Sequence, residues 1–514
     1  MMSETTNINA NDKKVIIIGL DGCTFDLIMP WIKRGHLPNL ERMLKEGAWG
    51  KLRSTTHPIS PVAWTSFKTG KNPGKHSIFS WEVLKKNSYD ATFFNSGEVK
   101  SSPFWEGTQK TVGTVNLLGT YPVKDVNGYV ISGMLTPSTK SDFTYPKELK
   151  KELFENIGDY RIATDVKYLA GKEREFYDDL KEIIENREKV FLYMLREHPC
   201  DINIFVFMET DALHHKFWRF LDATNPHYAP EEAEEYSKLA LDLYKRIDDA
   251  VGRLRDEAGN DAYIMIMSDH GAGNSLKRFL LNSWLLDKGL MRFKLSPMVA
   301  FKRALNKYRL FYRIYACLSK LGLGSGFYRF SKSTREKAAT GFFSLSSDLD
   351  WKRTKAFYGG NCGLIRLNVK GREPKGCVKP GKEYEKVADF IKKELLKLED
   401  SETGEKVVDE VVRREDIYWG DHTDDAPDII FSMKNHAYEV SKQLTSRPGN
   451  YFEDNFATTG NSGEHQMDGI FILAGPEIKA KEIKGASILD VAPTVLSLLG
   501  EDISLELDGK KLDV

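Results

Sequence analysis

The chain reads as an α/β protein: an α/β/α sandwich around a mostly parallel, doubly wound sheet, with a further region inserted into it. Short, continuous, β-branched apolar runs recur along the 514 residues, each bounded by charge or glycine, as strands buried on both faces require. Long amphipathic stretches lie between several of them, and strands that alternate with helices pack as a sheet covered on both sides. A change of character between about residues 290 and 450, where basic, aromatic and hairpin-like segments replace the apolar runs, marks the insertion.

Taken in order, residues 1–13 are polar and predict a disordered tail with no apolar signal core. The strand-like runs are "KKVIIIGLDG" (13–22), "TVGTVNLL" (111–118), "DINIFVFMETD" (201–211), "DAYIMIMSD" (261–269) and "GIFILAG" (469–475). Apolar residues at helical spacing predict helices over 175–197 and 231–259, and a closing helix in "SILDVAPTVLSLLG", capped by Ser487 and stopped at Gly500. These assign residues 14–289 and 451–514 to one α/β core and 290–450 to an inserted cap that bears on substrate choice. Within the cap, 290–337 is rich in Lys and Arg with one acid, Glu336, and Phe301, Leu305, Tyr308, Tyr312 and Tyr315 recur at helical spacing. Such a helix either buries its aromatic stripe against the core or offers a peripheral contact to a membrane surface or a lipid-linked phosphate.

Lys and Arg number 74 and Asp and Glu number 74, so no net charge attracts a polyanion and a nucleic-acid polymer is not an expected partner. The cysteines Cys23, Cys200, Cys317, Cys362 and Cys377 are scattered and odd in number, which suits reduced thiols. No apolar run approaches the ~20 residues that span a bilayer. A soluble, cytoplasmic protein of unknown oligomeric state is the expectation.

The chemistry-bearing residues cluster at strand ends. Asp21 follows "VIIIGL"; Asp211 follows "IFVFMET", with His215 one helical turn on; Asp269 and His270 end "YIMIM"; His465 precedes "GIFILAG". Each alone has a plain role as a turn acid, a cap or a surface imidazole. Two polar groups side by side where a buried strand stops need partners, and three Asp with three His form an oxygen and nitrogen donor set suited to Zn²⁺, Mn²⁺ or a related divalent pair. Ser60 precedes Pro61 at the start of a helix-like run and can occupy its N-cap, where the positive helix end favours anions. Locally it reads equally as a plain capping serine, and Ser54, Thr55, Thr56, Thr65 and Ser66 are competing hydroxyls. Arg372 is a further cation without an assigned role.

The ordered set "GLDG", "ISPVAWTSFKTGKNPGKHSIF", "TDALHH", "SDHGAG" and "GEHQMDG" resembles the alkaline phosphatase superfamily, in particular its type I phosphodiesterase/nucleotide pyrophosphatase branch and related phosphohydrolases and phosphomutases. The resemblance implies two divalent metal ions, Zn²⁺ or Mn²⁺: one held by Asp211, His215 and His465, the other by Asp21, Asp269, His270 and Ser60. It further implies that Ser60 is the nucleophile, forming a phosphoseryl intermediate in phosphodiester hydrolysis, with phosphomonoester hydrolysis or phosphoryl transfer as alternatives on the same site. A metal-containing binding protein without turnover is the non-enzymatic alternative. Ala63 stands where the branch carries a phosphate-binding Asn, so a side-chain donor to the phosphoryl group is missing. "SPVAW" lacks the Pro and Arg of the sulfatase motif, so sulfatase chemistry is not implied.

Overall fold

A computed structural model describes residues 13–307, 345–360, 362–444 and 449–514. Ten strands form its central sheet: β1 (Lys14–Leu20), β2 (Ala48–Arg53), β3 (Val112–Val115), β4 (Gly128–Ile131), β5 (Thr144–Tyr145), β6 (Ile202–Phe207), β7 (Ala262–Met267), β8 (Asp468–Ala474), β9 (Lys481–Glu482) and β10 (Ala486–Ser487). Their order is β9-β2-β8-β7-β1-β6-β3-β4-β5, with β10 also on β2. From β7 across to β4 all pairings are parallel, whereas β8 runs antiparallel to both its neighbours. The five runs read from the sequence are β1, β3, β6, β7 and β8. β2 and β4 escape that reading because "AWGKLR" carries Gly, Lys and Arg and "GYVI" is only a few residues long.

Alternation along the strands builds two cores. Ile16, Ile18 and Leu20 of β1, with Phe205 and Phe207 of β6, enter one cluster, while Val15, Ile17, Ile204 and Val206 enter the other. Both sets are fully buried, and each such side chain removed from water contributes about 1.5–3 kcal/mol. The first face is covered by α1 (Phe25–Lys33), α2 (Pro38–Glu46), α4 (Glu173–Glu197), α5 (Glu209–Leu221) and α6 (Pro230–Ala258); the second by α3 (Ser60–Thr69) and α7 (Val491–Leu498). Within α6, Leu243, Tyr244, Ile247, Val251 and Leu254 repeat at helical spacing to form its buried stripe, Pro230 opens it and Glu231 and Glu232 oppose its positive end. Ser487 caps the closing turn as read, and its N–H is in turn accepted by Asp490 at 2.9 Å.

A third apolar cluster, from Phe279 to Phe452, belongs to the region inserted between β7 and β8. It holds a four-stranded antiparallel sheet (Ala356–Gly360, Leu364–Leu367, Ile429–Met433, Val408–Arg413) packed against the helix Lys382–Leu395. Arg372 is committed there: its guanidinium donates to both carboxylate oxygens of the buried Asp428 at 2.7 Å and to the Leu367 carbonyl, so it holds the inserted region together. Of the basic stretch 290–337, residues 308–337 lie outside the described residues, as do residues 1–12 of the expected tail. Its described beginning is the helix Pro297–Lys307, where Met298 and Phe301 are exposed and Lys302 pairs with Asp348 at 2.9 Å. No helix among the described residues is long and apolar enough to cross a membrane.

Candidate active site

Parallel strands that end together leave a crevice beyond their carboxyl ends, and the sequence places its acids and imidazoles there. Asp21 is the first residue past β1. Asp269 and His270 follow β7 by two and three residues. Asp211 sits in the first turn of α5, straight after β6, and His215 one turn later on the same face. His465 arrives from the far end of the chain: the strand Gly463–Gln466 pairs antiparallel with Gly271–Asn274, which sets His465 opposite Ala272. Two glycines let these pieces meet. Gly22 has φ +68°, and a Cβ there would lie 3.0 Å from Asp211 Oδ1; a Cβ on Gly271 would lie 2.2 Å from the Asp468 carbonyl.

All seven residues singled out in the sequence therefore converge. His270 Nε2 lies 3.4 Å from Asp21 Oδ1 and 3.3 Å from Asp269 Oδ2, all three side chains being fully buried. Asp211 reaches His215 Nε2 at 3.3 Å and His465 Nε2 at 3.5 Å, and the two imidazole nitrogens are 3.1 Å apart. The rings of His270 and His465 stack at 3.9 Å, joining the two groups. Ser60 Oγ stands 3.2 Å from His270 Nε2. Ser60 is the first residue of α3 and Ile59 is its N-cap, a shift of one position from the cap expected for the serine, since the Ile59 carbonyl already accepts the first helical bonds. The hydroxyl stays at the positive end of the helix.

The imidazoles are oriented by the main chain. His215 Nδ1 faces the Gly463 carbonyl at 2.9 Å, His465 Nδ1 that of Pro58 at 3.0 Å and His270 Nδ1 that of Gly271 at 3.0 Å. A carbonyl only accepts, so each Nδ1 carries a proton and each Nε2 is aimed at the centre, where it offers a lone pair once its own proton is lost. Three Nε2 atoms converging with three carboxylates make a donor set that could hold cations, oriented as metal-binding histidines usually are. The carboxylates fit the same purpose. Asp21 Oδ1 and Asp269 Oδ2 are buried and make no hydrogen bond among the described residues, an arrangement that costs several kcal/mol unless a cation or a proton joins them. Trp64 Nε1–H donates to the other oxygen of Asp21 at 2.8 Å and the Gly22 N–H to the other oxygen of Asp269 at 3.3 Å, which aims the free oxygens inward.

Proton affinities follow from this crowding. Burial, then the charges of Asp269 and Asp211, push the Asp21 carboxyl well above its usual range; burial and Asp211 push Asp269 to about 7. Burial alone would raise Asp211 too, but the adjoining His215 and His465 hold it well below. Against burial, Asp211 raises His215 to about 10 and also raises His465, while burial and His465 depress His270.

Sequence reasoning missed several neighbours. Glu464, inside the motif that supplied His465, comes close enough to His215 and His465 to share an ion with them and accepts the His465 N–H at 3.1 Å. Trp64 was hidden among the apolar residues of α3. His57, three residues before Ser60, is 3% exposed and lines a recess beside His465. By contrast His214 turns into the core onto the Tyr244 hydroxyl at 2.8 Å, and Cys23 is a packing thiol that burial pushes to about 12. Ala63 is fully buried and offers no donor. Trp64→Phe keeps the ring and deletes the bond to Asp21; it is expected to weaken metal affinity about 10- to 100-fold, read by competition with a chromogenic chelator, with the fold retained.

A phosphonoacetate hydrolase from Sinorhizobium meliloti 1021, solved in complex with phosphonoacetate, superposes with a TM-score of 0.55 at 14% identity, over 95% of this chain and 95% of that one. A murine ectonucleotide pyrophosphatase/phosphodiesterase 5, solved as an inactive variant in complex with AMP, superposes with a TM-score of 0.51 at 12% identity, over 98% of this chain and 100% of that one. At such identities the likeness is one of fold. No curated protein matches the sequence. The sequence profile described as type I phosphodiesterase / nucleotide pyrophosphatase matches residues 15–465, from β1 to the last of the converging histidines. The chain belongs to the type I phosphodiesterase/nucleotide pyrophosphatase family of phosphoric ester hydrolases, whose members are typically dependent on divalent metal.

Proposed function

We propose that the chain hydrolyses small phosphate diesters at a two-metal site, with Ser60 as the nucleophile. The observation that carries this reading is the hydroxyl of Ser60 placed 3.2 Å from His270 Nε2, beside two buried carboxylate oxygens that no N–H or O–H among the described residues satisfies. Asp211, His215 and His465 would hold one cation, and Asp21, Asp269, His270 and Ser60 the other. Zn²⁺ or Mn²⁺ bound there would supply the Lewis acidity that ionises a serine hydroxyl near neutral pH and offsets charge on the phosphoryl oxygens.

The chain's own residues do the rest. Ser60 Oγ attacks phosphorus in line, forming a phosphoserine as the bond to the departing alcohol breaks; water then cleaves the phosphoserine and restores the hydroxyl. The start of α3 points its positive end at the serine oxygen and favours its anionic form. The backbone carbonyls on the three Nδ1 atoms keep the imidazoles from turning and so hold the centre in one geometry. Burial of Asp21, Asp269 and His270 keeps bulk water out of the side that carries the nucleophile.

The test is a panel of esters offered to chelator-treated protein with and without added Zn²⁺ or Mn²⁺. Release of p-nitrophenol from bis(p-nitrophenyl) phosphate, dependent on metal and faster than from p-nitrophenyl phosphate, is expected. Turnover of neither ester, or turnover indifferent to metal, would contradict the proposal.

A further inference from the structure

The first turn of α5 carries Glu209, Thr210 and Asp211 in succession. We infer that Thr210 is a positioning residue: through one hydrogen bond to the main chain of Asp21 it fixes the two proposed cation sets relative to each other. The inference rests on the two-metal reading above. β1 and β6 run side by side, and their ladder ends at the pair Leu20 and Phe207. Beyond that point the chains part, as β6 leads into α5 and Gly22, at φ +68°, turns the other chain away. Asp21 stands at the fork. Its N–H still donates to the Phe207 carbonyl at 3.0 Å, and its own carbonyl accepts from the Thr210 hydroxyl at 2.5 Å. Both residues are fully buried, so bulk water does not compete for the bond.

That bond spans the two sets. Asp211, next to Thr210, belongs with His215 and His465, whereas Asp21 belongs with Asp269, His270 and Ser60. The junction is close on every side: the Gly22 N–H donates to Asp269 Oδ1 at 3.3 Å, and a Cβ on Gly22 would lie 3.0 Å from Asp211 Oδ1. The start of α5 has a separate anchor in Glu209, whose carboxylate lies 3.6 Å from the buried guanidinium of Arg187 in α4. Arg187 is itself held, donating to the Ile162 carbonyl at 2.9 Å and lying over the Tyr160 ring at 5.0 Å. With α5 secured by Glu209 and its own helical bonds, loss of the Thr210 hydroxyl leaves Asp211 in place and frees the main chain at Asp21. Contacts of this kind behind a ligand settle where its donor atoms stand. Two cations clamp the entering and leaving oxygens only when about 3.5–4 Å apart, so slack at Asp21 is felt by the pair more than by the Asp211 set alone.

The test titrates chelator-treated wild type, Thr210→Val and Thr210→Ser with Mn²⁺, following free ion and the coupling between bound ions by electron paramagnetic resonance. Wild type is expected to take two equivalents and to show the spectrum of a spin-coupled pair. Thr210→Val keeps the shape and deletes the donor. Its second equivalent is expected to bind about 10- to 100-fold more weakly, and the coupled spectrum to fade at metal levels that saturate wild type. Thr210→Ser keeps the donor and should bring both back to within about threefold of wild type. In Asp269→Asn, where the Asp211 set binds alone, adding Thr210→Val should change affinity by less than about threefold. The inference is overturned if Thr210→Val keeps both affinities within about twofold with the coupled spectrum intact, or if Thr210→Ser fails as Thr210→Val does. It is overturned equally if the Asp211 set alone weakens as much as the second equivalent, the result of a general loosening of α5. Failure confined to these variants leaves the two-metal reading standing; wild type that binds fewer than two ions overturns that reading and the inference with it.

Discussion

Alanine in place of Ser60 is expected to lower kcat on bis(p-nitrophenyl) phosphate by about a thousandfold or more, with the fold and most of the metal affinity retained. The serine side chain touches the site through one contact, His270 Nε2, and six other ligands remain once it is gone. Its loss should therefore act on the bond-making step and leave the thermal midpoint nearly unchanged. Rapid quenching of the wild-type reaction should place labelled phosphate on the peptide that carries Ser60, and the variant should show none. A variant of full activity would move the nucleophile elsewhere. Thr65 is the nearest competitor named by the sequence, and its hydroxyl is buried without a partner among the described residues. It lies five positions along α3, about 140° around the helix from Ser60, so it faces away from the centre that Ser60 faces.

The second large effect concerns protons and metal together. Without metal, burial and Asp211 hold Asp269 at about 7, while Asp211 holds His215 at about 10 and also raises His465, so near pH 6.5 these groups are largely protonated. Metal requires all of them unprotonated. Binding at pH 6.5 is thus expected to release at least about two protons per chain, measured by calorimetric titration in buffers of different ionisation enthalpy. The sign of the stability effect follows. A folded-state pKa raised above its unfolded value contributes stability that is full below the unfolded pKa and lost as pH rises through the folded one. For Asp269 that window runs from about 4 to about 7, and for His215 from about 6.5 to about 10. Asp211, held low, contributes the opposite way, and its share is lost only in acid. The contribution of Asp269 and His215 to the stability of chelated protein should therefore fall from pH 5 to pH 9. In metal-loaded protein those ligands stay unprotonated and make no such change, so the gap between the two midpoints should widen with pH. A gap that stays constant or narrows would refute the shared-ligand assignment.

Much of this was legible in the residues because one physical rule wrote it. Strands buried on both faces must be continuous apolar runs, and "VIIIGL" and "YIMIM" stop at Asp21 and at Asp269–His270, where an acid or imidazole has no place in a core. The turn from Asp211 to His215 is a local period and could be read directly. His465 could be placed only with the whole motif set, since an antiparallel pairing across nearly two hundred residues brings it home. What stayed hidden depends on long-range packing. Trp64 reads as one more apolar residue of α3, yet its N–H reaches back to the end of β1. The pairing of His57 with His436 joins the core to the inserted region over more than 370 positions, and no local pattern announces it. Arg372 had no assigned role in the sequence; Asp428, which claims it, lies 56 positions on, just before the strand Ile429–Met433, and no local pattern links the two.

Six acids and imidazoles at the strand ends, on the reading proposed above, grip two divalent cations beside one serine hydroxyl. Elemental analysis of the protein at the end of a Zn²⁺ titration tests it most directly. About two equivalents per chain are expected for the wild type and about one for Asp269→Asn, which spares the Asp211 group. One equivalent or none in the wild type, or two in the variant with unchanged affinity, would contradict it.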